Sequence, residues 1–185
     1  MAAVVDLTQA QIFSAVEQFL LNFSTPPLTS DGLHVIPGNT NDQALPADGG
    51  DFCIYTPLFM SRRGTNAEDW NTAPAEAVIY DEYVETVWQI DCFSRSMVSA
   101  QQLATTYELI ARSEAGVNFF KPLFIDCLFA ENLRNLSFVL DSKKYVSRWS
   151  LELHLGFWKQ VQVSFDFFTS VNVNVVNVDV SFPPT

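Results

Sequence analysis

The chain reads as an α+β protein, a mainly antiparallel β-sheet (sandwiched or bent, with long strands) carrying two principal helices on one face. Three observations predict it. The last third alternates apolar and polar residues almost without a break, two segments place apolar residues at helical spacing, and the order runs helix, strands, helix, strands. The 185 residues are expected to form a single domain, 1–185, long enough for an adequate core.

The first helix is expected from Leu7 to Asn22. Ile12, Phe13, Val16, Phe19, Leu20 and Phe23 fall on one face, Thr8 with Gln11 offers a capping box, and Pro26-Pro27 ends the helix. A polar stretch rich in Gly and Pro follows from Thr29 to Gly50, interrupted by His34-Val35-Ile36. Asp51 to Met60 reads as a strand, with Pro57 placing its end near a sheet edge. Residues 61–76 read as a long polar loop containing Arg62-Arg63-Gly64.

Val78 to Phe93 is a second long strand, with Val84, Thr86, Trp88, Ile90 and Cys92 on one face. The second helix spans Met97 to Arg112 on an apolar stripe of Ala100, Leu103, Ala104, Tyr107 and Ala111. A short turn or helix at Val117 to Lys121 leads to a strand from Leu123 to Phe129.

The ladder then starts at Trp149. Leu151, Leu153, Leu155, Phe157, Val161, Val163, Phe165 and Phe167 share its phase, and Ser150, Glu152, His154, Gln160, Gln162, Ser164 and Asp166 lie between them. A period of two is a strand with one buried and one wet face. These 19 residues extend about 63 Å at roughly 3.3 Å per residue, more than a small domain needs. The ladder and the Asn/Val tail make residues 149–180 an extended C-terminal region. The tail slips phase between Val175 and Val176, as a β-bulge would. So much strand edge predicts pairing with other subunits.

Composition narrows the function. Hydrophobic content of 48% and sixteen Phe suit buried subunit interfaces, while no apolar run approaches the ~20 residues of a membrane helix. The opening Met-Ala-Ala-Val-Val-Asp predicts no secretory leader, so the sequons at Asn22 and Asn135 read as incidental. A net charge of −11 argues against a phosphate-binding surface but suits a wall that DNA slides past. Cys53, Cys92 and Cys127 lack zinc-ligand spacing and read as buried, reduced thiols.

No catalytic, cofactor or metal set emerges. His154 and Glu152 point the same way from the ladder, yet no third ligand is evident, so His154 reads as a solvated surface residue. His34 sits before a Pro-Gly bend, and no neighbouring residue in the sequence makes a catalytic or metal pair with it. Neither histidine is expected to be essential. Asp81, Glu82 and Glu85 read as the wet rim of their strand.

The order of elements carries a resemblance. An amphipathic helix is followed by Asp51-Phe52-Cys53-Ile54-Tyr55-Thr56-Pro57 closed by Arg62, then Glu85-Thr86-Val87-Trp88-Gln89-Ile90-Asp91-Cys92-Phe93. Ala100-Gln101-Gln102-Leu103-Ala104 and Arg148-Trp149-Ser150-Leu151-Glu152-Leu153 complete it. This resembles the neck or tail-terminator proteins of long-tailed bacteriophages, contractile-tailed ones in particular. The loop at 61–76 departs from a compact terminator.

The resemblance implies a structural virion protein, not an enzyme: a homo-oligomeric ring, commonly a hexamer, that caps the tail tube and meets the head connector. Its partners would be tail tube, sheath and connector proteins. DNA would pass its lumen without specific binding, with no membrane involved, after assembly in the host cytoplasm. Arg62, Arg63, Trp149, Phe157, Trp158, Val173 and Val175 are the residues expected at subunit or partner contacts, the two arginines against a neighbour's carboxylates. The alternatives are another ring or tube component (tail tube, collar or head-completion protein), or a small-ligand module or enzyme using Glu152 and His154.

Overall fold

A computed structural model describes residues 7–28, 34–39, 46, 50–69, 77–140 and 144–164. The strands are β1 (Val35–Pro37), β2 (Phe52–Arg62), β3 (Ala67–Asp69), β4 (Ala77–Ser94), β5 (Asp126–Asn135), β6 (Phe138–Leu140) and β7 (Lys144–Ser164). The helices are α1 (Gln9–Asn22), α2 (Met97–Ala111) and α3 (Glu114–Phe120). The sheet order is β1-β2-β4-β7-β5, with β3 also on β4 and β6 also on β7. Only the β1–β2 pairing is parallel, so the predicted α+β class with a mainly antiparallel sheet holds.

The axis of the sheet is the β4–β7 ribbon, paired without a register break from Ala77 opposite Ser164 to Ser94 opposite Ser147. The ladder is therefore not a free arm. One of its edges is satisfied by β4 along its length, because β4 is itself an unusually long strand of 18 residues. Strand β7 also starts earlier than expected, at Lys144.

The core lies on the face where Val84, Trp88, Ile90, Cys92, Leu151, Leu153 and Leu155 project. Helices α1, α2 and α3 cover it. Phe13 meets the Trp88 ring edge-on at 4.7 Å, Phe19 packs on Phe120 at 5.1 Å, and the Tyr107 hydroxyl donates to the Leu20 carbonyl at 2.9 Å, tying α2 to α1. Thr8 and Gln11 form the predicted capping box. Cys53, Cys92 and Cys127 are buried and free.

Three boundaries differ from the expectation. Residues 61–76 are not one loop: β2 continues through Arg62, and β3 returns to pair with β4. Strand β2 ends at Arg62 rather than Met60, and Pro57 does mark a sheet edge, since β1 pairs only with Cys53 to Tyr55 and a missing N–H is tolerated beyond them. The strand expected from Leu123 runs instead from Asp126 to Asn135, because Phe124 takes a left-handed conformation (φ 58°) that closes the preceding turn.

Candidate functional site

Opposite the helices, the sheet carries a belt of charged side chains. Arg148 donates to both oxygens of Asp91 at 3.1 and 3.0 Å, and Gln89 donates to Asp91 at 2.7 Å. Arg134 and Asn132 donate to the two oxygens of Glu152 at 2.5 and 2.8 Å. His154 Nδ1 lies 2.8 Å from Glu85 Oε1, and Arg63 Nε donates to Glu85 Oε2 at 2.5 Å.

This belt overturns the expectation that His154 is solvated and that Glu85 lies on a wet rim, while Asp81 and Glu82 are half-buried. His154 is 7% exposed and Glu85 3%. Strands β4 and β5 flank β7 on both sides at this level, and Phe129 stacks on the imidazole at 4.3 Å. The His154 hydrogen bond holds the Glu85 carboxyl below its ordinary range, helped by Arg63 and opposed by burial.

Strand β5 supplies what the ladder lacked. Glu131 stands opposite Glu152 in the register, and the strand is irregular between Glu131 and Arg134. Asn132 sits in that irregularity at φ 59°, a conformation Asn tolerates better than most residues. Glu131, Asn132 and Arg134 thereby all reach the face of Glu152 and His154. Asn132 is the one hint of this in the sequence, since nothing else there marks a bulge.

The predicted contact residues scatter. Arg62 pairs with Glu82 at 2.7 Å and Arg63 with Glu85, so both arginines meet carboxylates of their own chain while their side chains stay 75% and 64% exposed. Phe157 is 3% exposed and belongs to the core. Trp149 is half-buried. Trp158 is 56% exposed, resting edge-on against Tyr83 at 5.3 Å. Val173 and Val175 lie outside the described residues.

Besides the outer sides of β1, β3, β5 and β6, two stretches of strand edge are open among the described residues. Strand β5 leaves β7 at Gly156, so Phe157 to Ser164 have β4 on one side only. On the opposite side of the sheet, β2 has no outer partner from Thr56 to Arg62. There Leu58, Phe59 and Met60 are three consecutive exposed apolar residues, a run visible in the sequence as Pro57-Leu58-Phe59-Met60. Two such edges can add strands from other chains.

No helix is long and apolar enough to cross a membrane among the described residues. A search of curated proteins finds no match. One solved structure aligns over 89% of this chain and 99% of its own at 15% identity, with a TM-score of 0.36, too low to support an argument. A family model described as phage neck terminator protein matches residues 10–184, which takes in the helices, the whole sheet and both open edges. On that match the chain belongs to the phage neck terminator protein family.

Proposed function

We propose that this neck protein acts as the subunit of a closed homo-oligomeric ring, hexameric in the simplest case, that caps the finished tail tube and joins it to the head connector. The observation that carries the reading is a pair of unlike open edges on opposite sides of the sheet. One is the outer side of β2 from Thr56 to Arg62; the other is the outer side of β7 from Phe157 to Ser164. They face opposite ways across the sheet. Two different surfaces meeting head to tail form a heterologous contact, which closes into a ring when the rotation permits.

Main-chain pairing would join the sheets of neighbouring subunits, with Leu58, Phe59, Met60 and Trp158 buried at the seam. Trp149, Val173 and Val175 stay candidates for subunit or connector contacts. A net charge of −11 fits a lumen from which DNA is repelled rather than held. The protein would assemble in the host cytoplasm as one domain and remain in the virion.

Electron microscopy of the purified protein, alone and mixed with isolated tails, tests this. Closed rings of one size, seated at one end of each tail, are expected. Open-ended polymers would replace the terminator role with that of a tube component. A monomer that fails to bind tails at any concentration would reject the assembly reading.

A further inference from the structure

We propose that Glu131, Glu152 and His154 bind one divalent first-row metal ion, with Zn2+ as its representative. Each residue offers one ligand atom, and these atoms lie within 4.8 Å of one another. Glu131 and Glu152 face each other across the β5–β7 ladder, and His154 follows Glu152 by two positions on the same face.

The second observation is independent of that clustering. His154 Nε2 is buried and has no hydrogen-bond partner. Glu131 Oε1 lies 3.4 Å from it but is not aligned to accept a hydrogen bond. A buried polar atom without a partner is costly, and in a native fold it asks for an explanation.

The other ring nitrogen says what the explanation is. Glu85 already accepts from Arg63, and a carboxylate can only accept, so Nδ1 carries the hydrogen. In the neutral ring the lone pair then sits on Nε2, aimed at the two glutamates. A carboxylate fixing the tautomer of a histidine whose far nitrogen binds metal is the usual outer arrangement of such sites. Phe129, stacked on the ring, holds its plane.

The donor set chooses the metal class. An imidazole nitrogen with two carboxylates suits Zn2+ and its first-row neighbours, whereas Mg2+ and Ca2+ take shells of oxygen. Ligand atoms around tetrahedral zinc stand about 3.4 Å apart, so the site must contract by roughly an ångström on binding. The Glu131 side chain, 45% exposed, has the freedom to do it. Arg134 works against the ion, because its guanidinium already bonds Glu152. The rival occupant of Nε2 is a proton, which would leave an imidazolium among three carboxylates.

The test uses the full chain, stripped with a chelator and titrated with Zn2+, with Mg2+ in parallel, read by calorimetry and by thermal melting. One equivalent of Zn2+ is expected, with a rise in Tm and no response to Mg2+. Glu131→Gln should weaken binding at least tenfold and abolish the Tm rise. Glu85→Gln, which removes only the outer carboxylate, should weaken it about 10- to 100-fold. If His154→Gln fails to fold, Glu131→Gln decides, since that side chain is half-exposed. Absence of saturable Zn2+ binding, or binding unchanged by Glu131→Gln, would overturn the proposal whether or not the protein forms rings.

Discussion

Gly156 is the one glycine of the ladder, and its neighbour explains it. A Cβ built there would stand 2.0 Å from the Tyr83 hydroxyl, which lies over the glycine and donates to Asp126 at 2.9 Å. Any larger residue must evict the Tyr83 ring and break that bond. Gly156→Val should therefore cost about 1–3 kcal/mol, as overpacking does. Melting should show this as a Tm drop of roughly 2–4 °C per kcal/mol in a chain of this size. In a Tyr83→Ala background the penalty should shrink, and equal penalties in both backgrounds would show the clash to be irrelevant. The glycine is plain in the sequence; that Tyr83 is what it makes room for depends on β4 lying opposite β7.

Among the elements, β2 has the most to explain. It passes its Pro and a register break between Pro57 and Phe59, then presents Leu58, Phe59 and Met60 to solvent as an outer strand. Natural edge strands are usually blunted by charge. An apolar run here is what a strand meant to be covered by another chain would carry. The double variant Phe59→Lys, Met60→Lys should leave the monomer folded, because surface changes shift stability by about 0.5 kcal/mol or less. The same variant should weaken ring formation or tail docking several-fold. Circular dichroism and electron microscopy separate the two effects, and wild-type rings across a range of salt concentrations would remove β2 from the interface. Arg62 and Arg63, beside this run, brace its end to β4 through Glu82 and Glu85.

At the scale of the whole molecule, the core holds several weak acids protonated. Burial lifts the Cys127 thiol from 9.0 to about 11 and the Tyr55 hydroxyl from 10.0 to about 12, the latter with help from Glu17. Burial pushes Cys92 and Tyr107 upward as well. A folded-state pKa above the unfolded one means that the folded chain keeps its proton after the unfolded chain has lost it. The stability these groups contribute is intact below pH 9 and is lost as pH rises through the folded values. Tm should accordingly fall steadily between pH 9 and 11. A flat profile over that interval would mean that these side chains are not buried as described.

The two helices, the long strands and the antiparallel sheet follow from periodicity alone, because a period of 3.6 or 2 reports which side of an element meets the core. Thr8 and Gln11 were likewise legible, since a capping box is local in sequence. Periodicity does not report what lies beside a strand. Ser150, Glu152 and His154 occupy the polar phase of β7, yet Ser150 and His154 are buried. Asp91, Glu85 and Phe129 close over that phase from strands 25 to 69 residues away in the chain. The family likeness came from the order of elements, and the match over residues 10–184 bears it out. Only the tertiary structure brought Glu131 to His154, because a bulge in one strand and the register of two others are set by pairing between distant segments.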